Sequence, residues 1–347
     1  MIKKLTQCLL LALLSFAAVA TPFPPAATDL KLWYNQPATL WEEALPLGNG
    51  RLGAMVYGKP SNETIQLNEN TFWAGGPHNN LNAAALSSLP EIRSLIATGD
   101  YAAAEALATK SITSQGAQGM PYQSAGNLQL EFPTHSNYRH YYRDLDIANA
   151  VATTRYQVGD VIYSREVFTS LVDQVLVVKL TASKPGQLSF KAYLSHPAKA
   201  TFSKQNANTV LMQLQSADHE GIKGQVQLAS LLQVQNSGGR LSQKDHQIQV
   251  ENADSVVLLV SMATNFINYH DISGDALSRA QQYLAKAQQQ FQQHQYQATA
   301  AVRVAIDQAH GRVSWWNERC VGCAVRTNGM HGAERCAQRT LRIQSSP

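Results

Sequence analysis

No cysteine lies between residues 21 and 319, so the body of the chain is not a disulfide scaffold and draws its stability from burial. Charge is scarce as well. Asp, Glu, Lys and Arg make up 15% of the 347 residues, and the net charge is only +4. A balance that small gives no reason to expect nucleic acid as a partner. The apolar run from Cys8 to Val19 is too short to span a bilayer, and no membrane partner is expected. No repeat of solenoid period is present. His78, His135, His140 and His196 show no metal-ligand spacing with one another and read as surface residues or as residues standing behind a site. Glycine and proline are missing between Asp275 and His310, which leaves that stretch free to be helical.

Hydrophobic residues make up 44% of the chain, ample for a core, and the length suggests about two domains. Lys3 and Lys4, the short apolar run and Ala18-Val19-Ala20 read as a signal peptide over residues 1–20. That predicts an exported bacterial protein, periplasmic or extracellular, whose mature form starts at Thr21. Asn62-Glu63-Thr64 is formally a glycosylation sequon and is coincidental in a bacterial protein.

After a proline-rich lead, two blocks organise the chain. The first runs from Trp41 to Gly58 around Leu45-Pro-Leu-Gly-Asn-Gly-Arg-Leu-Gly-Ala-Met55, with glycines placed for a tight turn. The second runs from Ile65 to Pro77, where an alternating strand leads into Asn68, Glu69, Asn70 and Trp73 and closes on Gly-Gly-Pro. Amides and a carboxylate bind hydroxyls, and an indole covers the apolar side of a sugar ring. Asn68, Glu69 and Trp73 are therefore the candidate substrate-binding residues. A helical insert follows. Ser88 is placed to cap its first helix with Pro90 in the first turn, Gly99 ends it, and Asp100 caps a second. Residues 111–124 read as a long polar loop.

From Gly126 to about His270 the pattern is almost wholly β. Strands are expected at 188–194, 210–214, 226–234 and 247–250. Gly159-Asp160 marks a hairpin, and Ser237-Gly-Gly239 separates two more strands. The apolar runs Val175–Val178 and Val256–Val260 suit central strands. Many short strands predict a mainly β fold, a large antiparallel β-sandwich with a small helical insert. Leu277, Ala280, Leu284, Ala287 and Phe291 then form one stripe of a helix, an amphipathic face in need of a partner surface. The tail from Trp315 is arginine-rich and without periodicity, and reads as unstructured. Its Cys320-Val-Gly-Cys323, His331 and Cys336 are open to three readings: zinc ligands, a disulfide, or an accident of sequence.

The two blocks, followed in order by Tyr122-Gln123, Gly126-Asn127-Leu128, Tyr142-Arg-Asp-Leu-Asp146 and Tyr163-Ser-Arg-Glu-Val-Phe168, resemble the N-terminal domain of glycoside hydrolase family 95, the inverting α-L-fucosidases. The resemblance covers residues 30 to 312. It implies a sandwich domain over 28–272, a linker helix region over 273–313 that leads to a catalytic (α/α)6 barrel, and a divergent tail over 314–347. A frameshift or other truncation near residue 314 would explain that tail. The implied reaction hydrolyses a terminal α-linked L-fucosyl or related L-sugar residue of a glycan, with inversion and without cofactor or metal. In that family the general acid and the water-activating residues belong to the barrel, so no position here inherits a catalytic role. Such a barrel needs roughly 200 residues, more than follow the β region here.

The acids inside the blocks, Glu42, Glu43 and Glu69, read first as structural or peripheral. Of these, Glu69 is the one placed for a sugar contact. Trp33, Tyr34, Trp41 and Trp73 have two readings, a sugar-facing surface or core packing. Besides the fucosidase-type domain, a stand-alone carbohydrate-binding sandwich and a non-functional fragment with an uncovered docking face both fit the sequence.

Overall fold

The computed structural model describes residues 30–114 and 119–293. The leader at 1–20, His294, the continuation of the helical stripe beyond residue 293, and the tail with Cys320, Cys323, His331 and Cys336 lie outside the described residues.

In chain order the strands are β1 (Lys31–Tyr34), β2 (Leu45–Gly48), β3 (Leu52–Val56), β4 (Asn62–Glu69), β5 (Asn127–Glu131), β6 (Arg139–Asp146), β7 (Val151–Val158) and β8 (Val161–Thr169). They continue as β9 (Val175–Ala182), β10 (Leu188–Ser195), β11 (Thr201–Asn206), β12 (Thr209–Gln215), β13 (Gln227–Ser237), β14 (Arg240–Lys244), β15 (Gln247–Ala253) and β16 (Ser255–Thr264). The helices are α1 (Ala85–Ala97), α2 (Tyr101–Ser111) and α3 (Ala276–Gln293). The strands form a nine-stranded sheet, β1-β6-β7-β8-β9-β16-β13-β12-β11, and a seven-stranded sheet, β14-β15-β10-β5-β4-β3-β2, with every pairing antiparallel. This is the expected mainly β sandwich.

Alternation decides which side chains meet between the sheets. On β4, Ile65 and Leu67 point inward and are fully buried, while Gln66 and Asn68 point out. On β10, Leu188, Phe190, Ala192 and Leu194 face them from the same sheet. Leu176, Val178, Leu258 and Val260 close the core from the other sheet. The runs on β9 and β16 are apolar on both faces because each face is covered. Their outward residues Val177, Val257 and Leu259 pack beneath Ala280, Leu284 and Ala287 of α3. The helical stripe thus finds its partner surface within the chain. Burying Leu284 there contributes about 1.5–3 kcal/mol. Hydrogen bonds fix its register: Ser261 Oγ donates to the Ala280 carbonyl at 2.7 Å, and Lys286 Nζ to that of Val172 at 2.7 Å.

Turns fall where the chemistry placed them. Gly159 takes φ +59 in the two-residue β7–β8 loop. Gly238 and Gly239 take φ +69 and +63 where the chain passes from one sheet to the other, and a Cβ on Gly239 would lie 2.2 Å from the Glu251 carbonyl oxygen. Asp100 caps α2, its Oδ1 accepting from Ala103 N at 3.1 Å.

The start of α1 differs from expectation. The helix begins at Ala85, so Ser88 and Pro90 lie inside it. Asn82 organises the entry instead, its Oδ1 accepting from Ala84 N at 3.0 Å, and the Ser88 hydroxyl donates back to Ala85. Pro90 removes the backbone bond to the residue four back, Leu86, which lies on the exposed side of the helix. Two strands had no apolar signature, β11 and β14. Both are edge strands whose polar side chains shield an unpaired backbone.

Candidate functional site

The two sequence blocks meet at one end of the sandwich. The turn after β2 is built by Asn49, whose Oδ1 accepts from Arg51 N and Leu52 N at 3.1 and 2.7 Å, and whose Nδ2 donates to the Ser170 carbonyl at 2.8 Å. That turn aims Arg51 across the sandwich end. Its guanidinium donates to Glu69 Oε1 at 3.2 Å, to Gln174 Oε1 and carbonyl at 2.9 and 3.0 Å, and to the Met262 carbonyl at 2.6 Å. It also lies 4.5 Å from the centre of the Tyr283 ring on α3. One side chain therefore ties β4, the β8–β9 turn, β16 and α3 together.

Glu69 points inward and is 2% exposed. Its second oxygen accepts from Thr71 N and Thr71 Oγ1 at 2.8 and 2.6 Å. Both carboxylate oxygens are thus engaged by protein donors, and Glu69 can reach a ligand only through the residues it holds. Those residues shape the next turn. Trp73 donates its indole N–H to the Asn70 carbonyl at 2.8 Å and packs edge-on to Tyr122 at 5.1 Å. Tyr122 OH donates to the Glu69 carbonyl at 3.1 Å. Burial, aided by the Glu69 charge, pushes the Tyr122 phenol above its usual range. Gly75 sits at φ +69, a backbone conformation that residues with a Cβ rarely adopt. The outcome is a braced loop that presents Asn70, Trp73 and Tyr122 to solvent, with Trp73 and Tyr122 each 42% exposed.

Asn68 and Trp73 are thus accessible, and Glu69 lies beneath them as a brace. Trp33, Tyr34 and Trp41 are exposed too, so none of these aromatics packs in the core. Trp33 stacks on Tyr142, and Tyr34 lies beneath the Arg143 guanidinium at 4.4 Å. Glu43 belongs to a short turn at Trp41–Glu43, where its carboxylate accepts from Thr39 N at 2.7 Å and Leu40 N at 3.2 Å. Those backbone donors hold it below the usual carboxylate range.

Sequence reasoning missed a second ion pair, at the start of β4. Glu63 is 1% exposed and faces Arg165, whose Nη1 donates to Glu63 Oε2 at 3.2 Å and to the Lys59 carbonyl at 2.7 Å. Arg165 Nη2 donates to Tyr156 OH at 2.7 Å and to the Pro60 carbonyl, and its guanidinium lies 4.4 Å from the Phe132 ring centre. Burial raises the Glu63 carboxyl despite the arginine. His135 completes the cluster, with Nδ1 2.9 Å from Tyr156 OH, and is buried rather than at the surface. Burial, with the Arg165 charge, lowers it to about 4. The signal for this cluster was Glu63 at an inward position of an alternating strand. Among the described residues no group of three His, Cys, Asp or Glu side chains is arranged to hold a metal ion.

The model of the family described as Glycosyl hydrolase family 65, N-terminal domain, matches residues 32–269. The chain belongs to that family. Alpha-L-fucosidase 2 from Arabidopsis thaliana is 37% identical over 263 residues, covering 68% of this chain and 30% of that protein. Probable alpha-fucosidase A from Aspergillus niger is 31% identical over 182 residues, covering 49% and 22%. The corresponding protein of Aspergillus oryzae is 30% identical over 170 residues, covering 45% and 22%. The similarity to α-L-fucosidases over the N-terminal region stands on these relatives, although the matching family model carries the number 65 rather than 95. The chain spans less than a third of the length of the curated relatives it matches.

Proposed function

We propose that this chain is the N-terminal part of an exported glycoside hydrolase of the α-L-fucosidase type. The complete enzyme removes terminal α-linked L-fucose, or a related L-sugar, from a glycan with inversion. The observation that carries this reading is the 37% identity to an α-L-fucosidase over 263 aligned residues, 68% of this chain.

Inversion needs an acid and a base roughly 6.5–9.5 Å apart with a water between them. Two of the motif carboxylates have structural work, Glu69 bracing a loop with Arg51 and Glu43 capping a turn, and outside the motifs Glu63 pairs with Arg165. On this reading the proton-transfer pair belongs to a helical barrel that packs against the sandwich, and these 347 residues alone cleave nothing. Asn68 and Trp73 are the residues of this domain that touch substrate. The leader directs export. A stand-alone carbohydrate-binding protein is the second reading, favoured by the exposed indoles of Trp33, Trp41 and Trp73.

The test is to follow aryl α-L-fucoside cleavage by proton NMR with a longer protein that carries this domain and the barrel. The reading predicts β-fucose as the first-formed anomer. Release of the α-anomer first, or cleavage of other sugars only, overturns it.

A further inference from the structure

The outer face of the seven-stranded sheet has two unlike halves. Towards β10, polar side chains satisfy one another. Thr64 Oγ1 donates to Gln129 Oε1 at 3.0 Å, and Gln129 Nε2 to Ser195 Oγ at 3.5 Å. Tyr193 OH donates to Glu131 Oε1 at 2.6 Å. Towards β3 they do not. Gln66 and Asn68 lie about 7 Å apart along β4, and Asn127 stands directly opposite Gln66. Neither the Asn68 nor the Asn127 amide has a protein partner among the described residues, and Gln66 uses only its oxygen, for Trp41.

Trp41 joins this group through Gln66. Its indole N–H is already committed to Gln66 Oε1 at 2.6 Å, so what it presents to solvent is ring surface, 52% exposed. Beside Asn68 the sheet has no side chain at all, because Gly53 pairs with Asn68 and Gly48 with Gly53. The fold does not demand glycine at 53: a Cβ there would meet Asn68 Cβ at 3.5 Å, ordinary contact. The two glycines leave a hollow floor next to free amides and an indole face. The outward residues of this half are uncharged.

We infer that this hollow, bounded by Trp41, Gln66, Asn68 and Asn127, binds a neutral oligosaccharide. The complementarity is chemical. An uncharged, hydroxyl-rich ring offers one apolar face for the indole and vicinal hydroxyls for amides that can donate and accept at once. An acidic glycan has no cation to meet on these strands, and the apolar surface beside the amides is confined to Leu40, Trp41, Pro46 and Met55. The site does not rest on the fucosidase reading, since it needs a neutral sugar and no particular linkage.

Titration of the purified chain with 2′-fucosyllactose and with cellotetraose, followed by tryptophan fluorescence and by the side-chain amide signals in NMR, tests it. Saturable binding of at least one probe is expected. Trp41→Ala should weaken it about tenfold or more, as loss of a stacking aromatic does. Asn127→Ala and Gly53→Val, the second filling the hollow, should each weaken it severalfold with an unchanged circular dichroism spectrum. Tyr269→Ala, an exposed aromatic outside this face, should leave it unchanged. Absence of saturable binding by both probes overturns the inference. So does binding that Trp73→Ala abolishes while Gly53→Val and Asn127→Ala leave it intact. Neither outcome bears on which anomer the longer enzyme releases.

Discussion

Strand β4 carries an inward-facing glutamate at each end, and each meets an arginine. Glu63 with Arg165 is sealed, both side chains at most 3% exposed. Glu69 with Arg51 sits at the rim, where the arginine side chain is 20% exposed. The chemistry is the same and the surroundings differ. Around Arg165 every neighbour is core: Tyr156, Phe132, His135 and the carbonyls of Lys59 and Pro60. Around Arg51 the neighbours lead outward, through Glu69 and Thr71 to the loop that presents Asn70 and Trp73, and through Tyr283 to α3. A carboxylate in a sugar-type motif is thus no sign of catalysis by itself. Its oxygens have to be free, and those of Glu69 are taken.

The sealed pair should be the costlier to break. Arg165→Met leaves Glu63 buried without a counter-charge, and the expected loss is about 3–5 kcal/mol of stability by denaturant titration. The double change Arg165→Met with Glu63→Leu should recover a large part of it, because an apolar pair needs no desolvation. If the double variant is no more stable than the single one, the pair is not what seals this end.

Arg51→Met should cost less, about 1–3 kcal/mol, since water can reach Glu69 once the guanidinium is gone. The effect should also be local. Hydrogen exchange is expected to speed up at Thr71 to Gly76 and at the start of α3, and to stay unchanged near Tyr156. Equal loosening at both ends would contradict the division drawn here.

The pH dependence separates the two ends further. His135 takes up a proton near 6.5 in the unfolded chain and near 4 in the fold. The unfolded state therefore binds more protons between those values, and stability falls as pH is lowered through that window. His135→Gln should flatten this part of the curve. The exposed carboxylates held low by hydrogen bonds, among them Glu43, Asp160 and Asp218, lose their contribution only at lower pH. Smallest of all, Trp73→Ala should change stability by no more than about 0.5 kcal/mol, as an exposed ring whose loop is held by other bonds.

How far the fold was legible follows from the same physics. Strands with strict alternation or double-sided apolar runs, such as β4, β9, β10 and β16, announced themselves, because burial dictates composition on each face. The edge strands β11 and β14 did not, since a polar edge looks like a loop. Asn68, Glu69 and Trp73 were legible as a cluster, yet their division of labour was not. Alternation alone places Glu69 opposite to Asn68, but the arginine that claims it comes from the turn at Arg51, 18 residues earlier. The exposure of Trp33 and Trp41 was illegible for a similar reason: a tryptophan beside a strand suits either face until the pairing is known.

The central claim is that Glu69 braces this end of the sandwich and performs no proton transfer. The most direct test is release of chromophore from an aryl α-L-fucoside by the purified chain, with and without Glu69→Gln. The account predicts no turnover above buffer for either protein and a lowered melting temperature for the variant. Turnover by the unaltered chain that Glu69→Gln abolishes, with the melting temperature unmoved, would contradict it.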